Sequence, residues 1–262
     1  MIADFELNKR FLAAAAIARE AGDLARRLFE SRSAGTYQLK GHQDFLTEAD
    51  GAVERLVVSR IADAFPGDTC VGEEGGGAYS PQTWVVDPID GTANFARGVA
   101  QFCVSIAFVH DDQTAIGVIC NPMAGELFAA RRGAGATLNG RPMRVSALAD
   151  IRQAMVEVGW SARRPMEDHL ALLHRVTATG AGFRRSGSGA LGLASVAAGR
   201  IDGYCELHMQ PWDVLAGLLL IEEAGGWTSN FFANDGLRRG NFVLACAPAF
   251  KDVLIQATGL PA

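Results

Sequence analysis

The chain has 262 residues, 49% of them hydrophobic and 20% charged. At roughly 150 residues per domain this is one large unit or two closely packed ones of ordinary globular composition, which excludes disorder, collagen and coiled coil. A formal net charge of −5 excludes a broad basic footprint for nucleic acid or anionic lipid, because phosphate-backbone binding relies on clustered Lys and Arg.

From Asn8 to Phe29 small and apolar residues recur at helical spacing among Arg19, Glu20, Asp23, Arg26 and Arg27, predicting an amphipathic helix that packs on a sheet. The pattern dissolves between Ser31 and Asp44, and Thr47 opens a second helix that ends near Phe65, before Pro66-Gly67-Asp68. Thr83 to Val86 reads as a strand that stops at Asp87-Pro88, since proline lacks the amide needed to continue inside a sheet. Phe102 to His110, Thr114 to Cys120 and Glu126 to Arg131 follow as an antiparallel meander, and Gly133, Gly135 and Gly140 mark a further hairpin.

After about Asp150 strands alternate with helices. Strands are expected at Ala154 to Val158, Gly203 to Glu206 and Phe242 to Cys246, and helices at Met166 to Ala178, Gly189 to Ala198, Trp212 to Ala224 and Ala249 to Ala257. The expected organisation is therefore a meander-bearing half, residues 1–150, and an α/β half, residues 151–262, packed as one unit with a soft boundary.

Five cysteines without a CxxC pair suggest neither a disulfide framework nor a zinc ribbon. The amino-terminal stretch lacks a signal-peptide pattern, and no uncharged run reaches the about 18 residues that span a bilayer. A cytoplasmic protein without membrane or nucleic-acid partners is the expectation. The pairs Arg131-Arg132, Arg163-Arg164, Arg184-Arg185 and Arg238-Arg239 read as solvated element ends or, for an anionic substrate, as groups that shape its approach.

The informative acids lie at turns and element ends, where sites are built. They are Glu73 and Glu74 in a glycine-rich turn, Asp87 and Asp90 in Asp-Pro-Ile-Asp-Gly-Thr, and Asp213 after Trp212. A proline-fixed bend can aim Asp87, Asp90 and the Ile89 carbonyl at one point, giving the all-oxygen coordination that Mg²⁺ prefers, and the absence of His and Cys argues against zinc. Water and substrate oxygens would complete such a site, and phosphate esters are the obvious substrates. Gly91 and Thr92 follow at a possible helix start whose amides can receive an anion. Each piece alone has a plainer meaning: a solvated turn, Thr92 as a helix cap, Asp213 as a cap or dipole partner.

Taken together, Gly72-Glu73-Glu74, Trp84-Val-Val-Asp87-Pro-Ile-Asp90-Gly-Thr-Ala-Asn-Phe95, Trp212-Asp213-Val-Leu-Ala-Gly and the upstream Asp44-Phe-Leu-Thr-Glu-Ala-Asp50 resemble the inositol monophosphatase family of Mg²⁺-dependent, lithium-sensitive phosphatases. The resemblance runs in order from about residue 8 to 258. It implies a mixed α/β fold, a layered α-β-α-β-α sandwich of the inositol monophosphatase and fructose-1,6-bisphosphatase type, usually homodimeric. By the same resemblance Glu73, Asp87 and the Ile89 carbonyl hold one Mg²⁺, Asp87, Asp90 and Asp213 a second, and Glu73 with water a weaker third. Glu73 and Thr92 would orient the attacking water, Asp50 would hydrogen-bond Thr92, and the amides of Gly91 and Thr92 would hold phosphate, with no covalent phosphoenzyme. Glu206, Asp213 and the Ser186 to Ala190 segment, Ala190 in particular, fall on the substrate side.

One departure is Ala93, where the family often has a second Thr; it removes a hydroxyl and leaves the backbone amides. The expected activity is hydrolysis of a small phosphate such as inositol 1-phosphate. Histidinol phosphate is the alternative, because Glu206 also suits an amine, with fructose 1,6-bisphosphate and 3′-phosphoadenosine 5′-phosphate behind it. A non-catalytic regulatory protein of this fold would be expected to lose a metal ligand, and none of the matched acids is missing. Gly187-Ser-Gly189-Ala-Leu-Gly192 fits a dinucleotide fingerprint but lacks a long apolar strand before it. No G-x-S-x-G occurs, and the five histidines form no nucleophile-base or metal motif.

Overall fold

The computed structural model describes residues 2–32, 37–41 and 44–260. Helix α1 (Asp4–Ser31) buries Ala14, Ile17, Ala18, Ala21, Ala25 and Phe29, the single stripe that its spacing predicts. A short hairpin, β1 (Gln38–Gly41) with β2 (Asp44–Leu46), leads to α2 (Glu48–Ala64), β3 (Thr69–Gly72), β4 (Gln82–Asp90) and α3 (Thr92–Arg97). Then come β5 (Cys103–His110), β6 (Gln113–Asn121), β7 (Glu126–Arg131), β8 (Ala136–Leu138) and β9 (Arg141–Pro142). The second half adds β10 (Met155–Val158), α4 (Met166–Ala178), β11 (Gly182–Arg184), α5 (Gly189–Ala197), β12 (Gly203–Met209), α6 (Pro211–Glu223), β13 (Trp227–Thr228), α7 (Gly236–Arg239), β14 (Asn241–Cys246) and α8 (Lys251–Thr258).

Strands β3 to β9 form a seven-stranded sheet in sequential order, and β11-β10-β12-β14-β13 form a five-stranded one. Three apolar clusters give the layering. One face of the larger sheet, through Trp84, Val86, Ile106 and Val118, packs on α1 and α2. Its other face, through Val85, Ala107 and Ile119, packs on α5 and α6, which also meet Tyr204, Val243 and Ala245 of the smaller sheet. The outer face of the smaller sheet, through Val156, Cys205 and Leu244, packs on α4 and α8. The order helix, sheet, helix, sheet, helix is the expected sandwich.

The middle layer positions the site. Every residue of α6 from Val214 to Ile221 is buried, because a helix covered by sheet on both sides is apolar all round. Its approach to the larger sheet is close: a Cβ on Gly117 of β6 would lie 2.6 Å from the Ala216 carbonyl oxygen and 2.8 Å from the Ala216 Cα. At the outer layer a buried ion pair, Arg10 with both Asp68 oxygens at 2.9 Å, also takes the Trp84 indole N–H at 2.9 Å and ties α1 to β4.

One local expectation is corrected. Strand β4 does not stop at Asp87; it continues through Pro88 to Asp90. Pairing with β3 ends at Gly72 opposite Val86, so Pro88 has no β3 neighbour to bond. On the other side Asp87 faces Ser105 and Asp90 faces Cys103, so three steps on β4 meet two on β5, a bulge that absorbs the missing amide. The short strands β3, β11 and β13 and the β1–β2 hairpin carry too few residues for a periodic signal. Among the described residues no helix is long and apolar enough to cross a membrane.

Candidate active site

The bulge in β4 turns the Asp87–Asp90 stretch into a loop-like carboxylate carrier inside a sheet. Asp87 Oδ1 accepts the Ile89 amide at 2.9 Å, a local turn that fixes its direction. Gly91 then adopts φ +100° as the residue that caps α3, a left-handed conformation that L side chains resist. Its Cβ would also meet the Gln101 carbonyl at 2.9 Å. The cap is thus Gly91 and not Thr92, the plainer meaning considered for Thr92. As first helical residue, Thr92 donates its hydroxyl to the Ile89 carbonyl at 2.9 Å and faces Asp50 Oδ1 at 3.3 Å.

Asp50 is fully buried near the start of α2, where its other oxygen accepts from the Thr47 amide at 2.8 Å and the Thr47 hydroxyl at 2.6 Å. This capping arrangement explains why a carboxylate sits there at all. Burial still holds Asp50 above the usual carboxylate range against those bonds.

Asp213 stands in the first turn of α6 and accepts the Gln210 amide at 3.0 Å, so its plain capping role is real. It also meets Asp87 and Asp90: one carboxylate oxygen from each of the three lies within 4.8 Å of the others. Burial, then Glu73, pushes Asp87 well above its ordinary value. Burial likewise raises Asp90, against the hydrogen bonds that it accepts. Burial and then the Asp90 charge raise Asp213 to about 7. Three carboxylates that repel one another in a dry site are what a hard divalent cation with oxygen ligands offsets, so the donor set fits Mg²⁺. Glu73, in the turn after β3, is the nearest further acid in charge terms but is not part of that triad.

Asp90 is gripped by the start of α5. The Ser188 hydroxyl donates to its Oδ2, as do the Ala190 amide at 2.8 Å and the Cys103 thiol at 3.7 Å, while the Gly189 amide reaches Oδ1 at 3.3 Å. The Ser186 to Ala190 segment therefore touches a carboxylate of the triad, and the Ala190 amide is directed at Asp90. Asn94 adds a second tie, bonding the Gln101 and Ser186 carbonyls at 2.8 and 3.0 Å. Buried Glu206 accepts the Tyr204 hydroxyl at 2.6 Å, and burial raises it to about 7.

A cavity of about 730 Å³ brings Glu73, Asn94, Glu206 and Asp213 to one opening, a size suited to a small-molecule ligand. Sequence reasoning included Ser188 in a substrate-side segment and Asn94 in the acidic motif but gave neither a role on Asp90 or Ser186, and gave Cys103 none, because these roles depend on contacts more than 80 residues apart or on a buried thiol that carries no motif. His42 lies outside the described residues, as do the side chains of residues 40–45, including Asp44.

A five-layer sandwich whose middle helices and bulged strand bring carboxylates together beside a cavity of small-molecule size defines a scaffold that fits a divalent metal. The chain belongs to the inositol monophosphatase family, whose model matches residues 7–258. It is 40% identical over 243 residues to the Nus factor SuhB of Escherichia coli, covering 90% of this chain and 91% of that protein. Among solved structures, the extragenic suppressor protein suhB of Bartonella henselae superposes with a TM-score of 0.88 at 34% identity, over 95% of this chain and 98% of that one. An inositol monophosphatase from Anabaena gives 0.85 at 32% identity and 98% coverage of both chains.

Proposed function

We propose that the protein is a Mg²⁺-dependent phosphomonoesterase that hydrolyses a small phosphate ester, with inositol 1-phosphate the first candidate and histidinol phosphate the alternative. The observation that carries this reading is the convergence of Asp87, Asp90 and Asp213 within 4.8 Å at a cavity that also holds Glu73 and Glu206. Bound divalent cations would supply charge neutralisation of the phosphate and a lowered proton affinity of water.

In this reading Asp87, Asp90, Asp213, Glu73 and the Ile89 carbonyl hold two or three ions. The Ile89 oxygen already accepts from Thr92, and a carbonyl has a second lone pair. The Thr92 hydroxyl proton is drawn toward Ile89 and Asp50, which leaves the oxygen lone pairs to accept a hydrogen bond from the attacking water and so orient it. Glu73, which lines the same cavity, would be the second group that orients this water. The Gly91 and Thr92 amides at the α3 start receive phosphate oxygens, and Glu206 receives a substrate hydroxyl. A homodimer in the cytoplasm, as in the family resemblance, completes the proposal.

The name Nus factor attached to the SuhB relatives brings a second reading, a binding role in transcription with partners of its own. The complete acid set favours catalysis, because a purely binding protein gains nothing from repelling carboxylates held in a dry cluster.

The test is phosphate release with Mg²⁺ and with EDTA across inositol 1-phosphate, histidinol phosphate, fructose 1,6-bisphosphate and 3′-phosphoadenosine 5′-phosphate. Turnover lost in EDTA, and a kcat lowered at least about 100-fold in Asp90→Asn with its fold intact, are expected, since metal-borne charge stabilisation is worth several kcal/mol. Near-normal turnover in Asp90→Asn sinks the metal assignment, and no release from any substrate favours the binding role.

A further inference from the structure

The cavity is lined by Arg97, which donates to the Ala93 carbonyl at 3.2 Å, and by two further arginines that the proposed chemistry leaves unused. Each of these two belongs to an adjacent pair in which the other member serves the fold. Arg164 is ion-paired with Asp168 at 3.1 Å, and Arg184 lies 3.3 Å from the buried Glu157 carboxylate. Glu157 in turn accepts the Ser186 amide at 2.8 Å and so braces the segment leading to Ser188. The second members, Arg163 and Arg185, line the cavity with Glu206 and Asp213. Among the described residues neither guanidinium makes a hydrogen bond or an ion pair.

Their placement follows from topology. β10 and β11 are parallel neighbours; Arg163 follows the first and Arg185 the second, so both leave the carboxyl ends of the strands, the side where such sheets take ligands. Trp160, also beyond β10, walls the same rim, with the Arg185 guanidinium 5.7 Å from its ring centroid, a contact that holds a guanidinium without neutralising it. The opening is thus polarised, acids at its floor and arginines at its lip.

This polarity sorts substrates. The arginines repel divalent cations and so do not serve the metal floor, a neutral polyol has no need of them, and an ammonium group meets them as like charges. We infer that the site prefers phosphate esters that carry a second anionic group, phosphate or carboxylate, which Arg163 and Arg185 bind at the rim while the reacting phosphate lies over the acids. The inference rests on the phosphatase reading and narrows it, disfavouring histidinol phosphate and placing inositol 1-phosphate, which has no second anion, behind esters that carry one.

Two matched pairs test it, each keeping the reacting ester and changing only the second anion: fructose 1-phosphate against fructose 1,6-bisphosphate, with fructose 6-phosphate identified as product, and glycerol 2-phosphate against 2-phosphoglycerate. The kcat/KM ratio of the partner with two anionic groups to the partner with one is expected to be about tenfold or more in at least one pair, which also says whether phosphate or carboxylate is preferred. The ratio falls toward one in the Arg163→Gln, Arg185→Gln double variant and with rising ionic strength, as screening weakens the exposed guanidinium contacts. A ratio near one for both pairs in the unaltered protein, or one that the double variant leaves intact, overturns the inference while phosphatase activity stands. No release from any of the four in Mg²⁺, with purified and folded protein, overturns the phosphatase reading and this inference with it.

Discussion

Asp213→Asn should make the metal-free protein more stable. Burial and the neighbouring Asp90 raise the Asp213 carboxyl from 3.8 to about 7. An acid whose folded value lies above its unfolded one keeps a proton that the unfolded chain has lost, so its unfavourable effect is absent below about pH 4, grows as pH rises and is complete above about pH 7. About three pH units at about 1.4 kcal/mol each set an upper bound of about 4 kcal/mol. Asparagine keeps an oxygen for the Gln210 amide, now accepted at 3.0 Å, and gives up only about 0.5–1 kcal/mol of charge-dipole attraction at the helix start. The net gain of about 3 kcal/mol corresponds to roughly 6–12 °C in Tm for a chain of this size. Thermal unfolding in EDTA at pH 8 and pH 5 reads it out, with the variant ahead at pH 8 and the gap narrower at pH 5. Mg²⁺ should reverse the order once it reaches about 1,000 times its Kd, where binding stabilises the unaltered protein by about 4.1 kcal/mol. An Asp213→Asn protein no more stable than its parent in EDTA at pH 8, or equally advantaged at both pH values, refutes the reasoning.

Other perturbations separate site from scaffold. Gly117→Ala places a methyl against the backbone of α6, where no side-chain rotation gives relief, and is expected to cost about 1–3 kcal/mol in denaturant titrations and to weaken Mg²⁺ binding by displacing Asp213; a neutral effect on both would show that the sheet can yield. Ser188→Ala removes a donor to Asp90 and the helix cap on the Leu191 amide; about 1 kcal/mol of stability and a several-fold weaker Mg²⁺ affinity by calorimetry are expected, and an unchanged affinity would mean that the two backbone amides suffice. Asp68→Ala strands Arg10 and the Trp84 indole and should lower stability by about 3–5 kcal/mol with Mg²⁺ affinity intact; loss of metal binding there would mean that the outer layer is coupled to the site.

Elements with long periodic patterns were legible from residue types alone. Helix α1 and helix α6 carry enough turns for an apolar stripe, or an apolar surround, to declare itself, and the β5–β7 meander is punctuated by turn residues. Strand β4 misled at Pro88 because the rule against proline in sheets holds only where a ladder bond is required, and the bulge with the short reach of β3 removes that requirement. Strand β11, three residues long, shows only through its parallel pairing with β10. The acids of the site were legible as residues, because few other reasons place Asp87 and Asp90 beside a proline and a glycine. Their supports were not: Ser188 meets Asp90 across 98 positions of sequence, and Glu157 looks like any strand acid until Ser186 and Arg184 are seen upon it.

The buried middle helix has a consequence for how such a protein can change. With α6 enclosed from Val214 to Ile221 and pressed against the backbone of β6, the carboxylate at its head cannot be redirected without moving two sheets, so the floor of the cavity is inherited as a block. The lip is made instead of loop residues, among them the exposed Arg163 and Arg185, whose replacement disturbs little packing. Selection for a new phosphate ester would therefore act on a handful of surface codons, and a lineage could exchange one metabolite for another while its metal chemistry stays fixed.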